Sequence, residues 1–239
     1  MKTDTICGLK PVDALFRRRA DAVQRLFYVA ELRAAAGPHC ALLAAARKPY
    51  RMVEPEELEK VAGTPHHGGM VAVARARVPE IFNIAQPPKV KLLLVLDGIG
   101  NPHNLGAIAR SAAFFGVDAM LLSEGVGDAM PSDAAYRTSE GGLEMIDLYR
   151  SRNLPNVLAG IDGLYRTVAT SLSRDAVPLA ELPRDRPIAL VLGNEENGVS
   201  PAVLETCRRQ VRIAGSGRVQ SLNVAQASAV MLADLPGAL

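Results

Sequence analysis

Three polar loops carry the residues whose types and spacing suit chemistry. The first, Asp97 to Gly116, presents Gly98, Gly100, Asn101, Pro102 and Asn104, then enters a helical stretch on which Arg110 stands six residues after Asn104. The second presents Gly193, Asn194, Glu195 and Gly198, and the third bends at Gly215, Ser216 and Gly217 before Ser221 and Asn223. Glycine in such turns lets main chain approach a ligand closely. Parallel sheets bind ligands beyond the carboxyl ends of their strands, where loops like the first arise. Taken singly, each loop equally fits a plain turn, and Ser221 and Asn223 equally fit helix N-caps.

Several chemistries are excluded by pattern. Gly98-Ile99-Gly100 opens like a dinucleotide-binding loop, but position 103 is His and Pro102 intrudes where helix N–H groups should face a pyrophosphate. No GxxxxGK followed by Ser or Thr exists. His39, His66, His67 and His103 show no metal-ligand spacing with Cys7, Cys40 and Cys207, so no metal is expected. An odd cysteine count without CxxC spacing, and a start without a long apolar leader, predict a reduced, cytoplasmic compartment. Apolar runs such as Leu92 to Leu96 fall far short of the roughly 18 residues a membrane span needs, so none is expected.

The elements that must position these loops follow from the apolar pattern. Val90 to Leu96, Val117 to Leu122, Val157 to Ile161 and Ile188 to Leu192 read as strands. Leu105 to Phe115, Asp133 to Gly141 and Leu222 to Leu235 read as helices, the last capped by Pro236-Gly237. Alternation of this kind predicts an α/β fold with a mostly parallel sheet covered on both faces. Earlier in the chain, residues 9 to 36 read as helical on Val12, Leu15, Phe16, Val23, Leu26 and Phe27, with Ala-rich helix to about Ala46. Tyr50 to Val53, Glu56 to Val61 and Met70 to Ala74 complete a small α/β layer. The organisation expected is a small domain at 1–77, a Pro-containing linker at 78–89 and a larger domain at 90–239.

With 239 residues, 49% of them apolar, the chain can bury a sizeable core without disulfides. The formal charge of +2 conceals an asymmetry, because residues 1–53 hold 10 Lys/Arg against 4 Asp/Glu. Arg17, Arg18, Arg19 and Arg25 concentrate that excess, which fits a polyanion partner or a solvated helix face.

Taken together the loops resemble the SpoU or TrmH family of RNA ribose 2'-O-methyltransferases, within the SPOUT class. Asp97, Pro102, Asn104, Gly106 and Arg110 stand at that family's spacing in its first motif; Leu192, Gly193, Glu195 and Gly198 match the second, and Ser221 to Val224 the third. Arg137 to Gly142 is similar to the family's Ser-x-Gly stretch. Cys7 to Val12 and His67 to Ala72 resemble the opening and closing of its small ribosomal-protein-like RNA-binding domain.

The resemblance implies a C-terminal deep trefoil knot holding S-adenosylmethionine by main chain near Leu192, Gly193, Ile213 and Leu222. It implies a homodimer acting on tRNA or rRNA, with Arg17, Arg18, Arg19 and Arg25 on the RNA. Arg110 would grip a phosphate and stabilise developing alkoxide charge, since an arginine pKa above about 12 makes it a poor base. Asn104, Glu195, Ser221 and Asn223 would orient the ribose, the arginine and the loop. Ala214, Ala225-Gln226 and Asn101 depart from the family pattern, and the first two motivate an alternative, an RNA-binding protein that keeps the fold without activity.

Overall fold

The structure, a computed structural model, describes residues 2–173 and 175–235. The chain divides into two compact units, Met1–Val78 with Pro131–Met145, and Pro79–Met130 with Ile146–Leu239.

The first unit begins with β1 (Thr3–Cys7), α1 (Leu9–Arg19), β2 (Val23–Tyr28), α2 (Arg33–Ala45), β3 (Tyr50–Met52), α3 (Pro55–Ala62) and β4 (Met70–Arg75). Its sheet runs β1-β4-β2-β3, with β4 antiparallel to both neighbours and β3 parallel to β2. Val12, Leu15 and Phe16 bury one face of α1 at helical spacing. That spacing continues on paper through Val23, Leu26 and Phe27, which were expected in a helix; a 3₁₀ turn at Ala20–Ala22 ends α1 and those residues form β2 instead. Pairing decides the matter, because Leu26 lies opposite both Ala72 and Tyr50 in the interior of the sheet.

The second unit starts with β5 (Glu80–Ile81), β6 (Leu92–Asp97), α4 (Pro102–Phe114) and β7 (Ala119–Ser123). The chain then gives α5 (Asp133–Ser139) and α6 (Gly142–Met145) to the first unit. It returns for β8 (Asp147–Ser151), α7 (Leu154–Ile161), β9 (Arg166–Thr170), β10 (Val177–Pro178), β11 (Ile188–Gly193), α8 (Pro201–Thr206), β12 (Arg209–Arg212) and α9 (Val224–Asp234). Among the described residues eight strands pair in the order β10-β12-β9-β11-β6-β7-β8-β5, and every pairing is parallel. A parallel sheet buried on both faces needs continuous apolar strands, which is why Leu92 to Leu96 and Ile188 to Leu192 carry no alternation.

Two local expectations are corrected. Val157 to Ile161 is helical within α7, started by Asn153, whose side chain accepts the Asn156 N–H at 3.0 Å, and by a proline in the first turn. The stretch at 78–89, read as a linker, contributes β5 beside β8 and the buried Phe82, which meets Tyr149 edge-on at 5.6 Å between centroids. The expected cap at Pro236-Gly237 lies outside the described residues.

Within the first unit α5 and α6 are held by a buried ionic cluster. Arg19 donates from Nε to both Glu144 oxygens at 3.1 and 2.9 Å and from Nη2 to Oε1 at 2.7 Å. It also reaches the Arg75 carbonyl at 2.6 Å and the Tyr136 hydroxyl at 3.3 Å, while Asp133 accepts the Thr5 N–H at 2.9 Å. Burial alone would lower the Arg19 guanidinium, but the hydrogen bonds and charge of Glu144 more than offset that and hold it above its ordinary range. Burial also raises the Asp4 carboxyl, an effect that the Arg77 N–H and Arg19 only partly oppose. Arg19 was expected on RNA with its neighbours. Its side chain is 15% exposed and turned inward on Glu144, which removes it from the surface.

Candidate active site

The site is built where β6 and β11 end side by side, in a register that sets Gly193 opposite Asp97. Two of the three polar loops therefore leave the sheet as neighbours despite their distance in sequence. The third arrives with α9, which packs on α4 and β11. Asn101 starts α4 by accepting the His103 N–H at 2.8 Å, and Asn223 starts α9 by accepting the Ala225 N–H at 2.8 Å.

Asn223 does more than cap. Its Nδ2 donates to Asn104 Oδ1 at 3.2 Å, and Asn104 Nδ2 donates in turn to Glu195 Oε1 at 2.5 Å. One residue from each loop thus forms a directional chain of hydrogen bonds that ends on a carboxylate. Among the described residues Glu195 Oε2 has no partner, so it is open to accept a hydrogen bond from a ligand.

The turn carrying Glu195 is very tight. Asn194 and Gly198 exchange backbone hydrogen bonds at 2.9 Å each way, and Gly198 has φ +70°, a left-handed conformation suited to glycine. At Gly193 a Cβ would lie 2.1 Å from both Gly198 C and Val199 N, backbone atoms that cannot swing aside. We expect Gly193→Ala to cost about 1–3 kcal/mol or more through overpacking, read as a lowered midpoint of urea unfolding; an unchanged midpoint would show that this turn has slack.

Arg110 is exposed on α4, about 9 Å along the axis from Asn104 and roughly 120° around it by helix geometry. Among the described residues it makes no hydrogen bond or ion pair, so it is not joined to the Asn104, Glu195 and Asn223 chain. Ser221 is exposed and also stands apart from that chain. Leu192 and Gly193 are buried, Ile213 is half-buried, and Leu222 is 45% exposed. Residues 214–223 are exposed, and 213–220 form neither helix nor strand. Arg17 and Arg25 face solvent, whereas Arg18 donates from Nε to the Glu144 carbonyl at 3.2 Å.

Three further groups support this end of the sheet. Ser123 Oγ accepts the Gly98 N–H at 2.8 Å, Asp97 Oδ2 accepts the Ser200 N–H at 2.7 Å, and Asn194 Nδ2 donates to the Gly98 carbonyl at 2.8 Å. Asp97 stood in the first motif and Asn194 in the second loop, though without these roles, and nothing in the pattern pointed to Ser123.

Burial pushes the Cys207 thiol up to about 12, helped by the charges of Asp97 and Asp162, and the Cys7 thiol up to about 11. Thiols held in that range are poor nucleophiles. Among the described residues no group of His, Cys, Asp and Glu is arranged to hold a metal, and no helix is long and apolar enough to cross a membrane.

A parallel α/β sheet whose loops converge on a small polar cluster defines a ligand-binding protein of the open-sheet class. Comparison with known proteins sharpens this. Residues 91–233 match the SpoU rRNA methylase family, and residues 5–79 match the substrate-binding domain of RNA 2'-O ribose methyltransferases. The chain belongs to the SpoU rRNA methylase family, and its class is RNA ribose methyltransferase.

Among its relatives, a 23S rRNA (guanosine-2'-O-)-methyltransferase, RlmB, of Ralstonia nicotianae is 32% identical over 97% of this chain and 94% of its own length. The uncharacterized tRNA/rRNA methyltransferase YfiF of Escherichia coli O157:H7 is 32% identical over 96% of this chain, which spans 66% of that protein. An rRNA methyltransferase of Sinorhizobium meliloti, solved with AdoMet bound, shares the fold with TM-score 0.81 over 98% of this chain and 86% of its own, at 22% identity.

Proposed function

We propose that this protein methylates a ribose 2'-hydroxyl in rRNA or tRNA, with S-adenosylmethionine as donor. The observation that carries the proposal is the Asn223 to Asn104 to Glu195 chain, in which three separate loops meet at the carboxyl ends of β6 and β11. A packing role does not require polar residues from all three.

The residues present suit such a donor. Ile213 and Leu222 offer apolar edges for an adenine, and residues 214–222, exposed and outside helix and strand, can meet it with main chain. When bound, the sulfonium supplies an electrophilic methyl. In this reading the chain's own residues do the rest. Glu195 and the two asparagines orient the ribose, and its hydroxyl proton passes to the adjacent phosphate or to water as the alkoxide develops. Arg110 pairs bidentately with an adjacent phosphate and stabilises the alkoxide as it forms. Ser221 fixes the third loop. Reacting atoms must sit about 3–3.5 Å apart, so positioning contributes as much as activation.

The same reading assigns the first unit to substrate capture, with Arg17, Arg18 and Arg25 on phosphates. It gives the segment from β11 through α9 the threaded path of a trefoil knot. It pairs two copies as a homodimer, in the cytoplasm where rRNA and tRNA are found.

The test is incubation of purified protein with methyl-labelled S-adenosylmethionine and rRNA or tRNA from cells lacking it. Label should persist in dinucleotides that resist alkaline cleavage, because a 2'-O-methyl blocks hydrolysis of the neighbouring linkage. Label on bases, or cofactor binding by calorimetry without incorporation into any RNA, rules the proposal out and leaves an RNA-binding protein without activity.

A further inference from the structure

We propose that Asn194 is a positioning residue that acts through Glu195, an inference that rests on the methyl-transfer function above. The two strands that carry the site are tied to each other's loops reciprocally. From the end of β11, Asn194 Nδ2 donates to the Gly98 carbonyl at 2.8 Å; from the end of β6, Asp97 Oδ2 accepts the Ser200 N–H at 2.7 Å. These ties fall on the first and last residues of the 194–200 turn, and Glu195 lies inside it.

Asn194 also organises that turn from within. Its Oδ1 accepts the N–H groups of Glu196 at 2.9 Å and Asn197 at 3.1 Å, an Asx arrangement. Its backbone exchanges hydrogen bonds with Gly198. One side chain therefore has two separable duties, the acceptor shaping the turn and the donor docking it against the first loop. Glu195 follows immediately and is itself exposed, so what aims its carboxylate at Asn104 is the direction its backbone takes out of Asn194.

Aspartate at this position separates the duties. It keeps the acceptor, loses the donor, and faces the Gly98 carbonyl with negative charge. A displacement on the order of 1 Å at a catalytic constellation costs about 100-fold in rate. N194D is therefore expected to lower kcat about 10- to 100-fold while the Kd and KM for S-adenosylmethionine stay within about threefold. In an E195A background the same substitution should add less than about twofold, because the residue it acts through is gone.

A double variant whose loss equals the product of the single losses overturns the proposal. So does an N194D protein whose defect lies in cofactor Kd rather than kcat. Should N194D unfold below the assay temperature, Asn194→Ala, which adds no charge, carries the same comparison. Failure of the underlying function reads differently: the unmodified protein itself would transfer no methyl group to RNA.

Discussion

Arg110→Ala lowers kcat on RNA by roughly 100- to 1,000-fold, by our expectation, while cofactor affinity and thermal stability stay as they were. Arg110 takes no part in holding the fold. It is exposed on α4 and holds no ion pair or hydrogen bond among the described residues, so its removal leaves no buried group unsatisfied. A cation that is costly to order and carries no structural duty is available for a ligand.

If that ligand is the phosphate beside the reacting ribose, its loss is felt in the transition state, where alkoxide charge develops. Deleting a donor that stabilises such charge costs roughly 100- to 1,000-fold in kcat, or about 2.7–4 kcal/mol. Arg110→Lys retains charge without the planar fork and should fall between. Single-turnover rates at saturating S-adenosylmethionine make the measurement. An alanine variant within about threefold of the parent would remove Arg110 from the reaction.

The second large effect concerns stability. Glu144→Gln leaves the Arg19 guanidinium in place with its bidentate carboxylate gone, in a site where Glu144 is 1% and Arg19 15% exposed. Breaking a buried pair by removing one partner costs about 3–5 kcal/mol, because the remaining charge cannot recover its hydration. Arg77, whose guanidinium lies 3.8 Å from the same carboxylate, loses that partner as well, while Asp4 at 3.5 Å keeps part of the Arg19 charge balanced and holds the loss to the lower end of that range. Urea unfolding should show the loss directly. A combined Arg19→Met and Glu144→Gln variant should recover much of it, since a volume-matched apolar side chain replaces the stranded cation. A single-variant loss below about 1 kcal/mol would mean that water reaches the cluster.

Arg19 also shows what a sequence leaves hidden. A run of three arginines looks identical whether its members face water or a carboxylate 125 positions away. Only the three-dimensional path of residues 131–145 supplies Glu144.

The strands of the second unit were legible for the opposite reason. A parallel strand buried on both faces must be apolar throughout, and Leu92 to Leu96 or Ile188 to Leu192 admit little else. The same rule misleads at Val157 to Ile161, where a short helix is nearly as apolar as a strand and the deciding cue lies just upstream at Asn153. At Val23 to Tyr28 the 3-4 spacing carried over from α1 by coincidence, and sheet pairing overrode it.

For the site, each loop announced itself through glycine and asparagine. Their meeting did not, because it depends on β11 lying beside β6, and no local pattern records which strands become neighbours. Family resemblance supplied that convergence, and the Asn104 to Glu195 contact is its physical form.

The loan of α5 and α6 to the first unit bears on how the protein is made. A ribosome releases residues 1–78 long before residue 145, and during that interval the inward-facing arginine has no carboxylate to meet and β1 lacks the helix that covers it. The amino-terminal part of the polypeptide therefore completes its fold only after residue 145 has been translated. A gene fragment ending at Val78 encodes an unfinished module, and anyone wishing to study RNA capture in isolation must graft residues 131–145 back on.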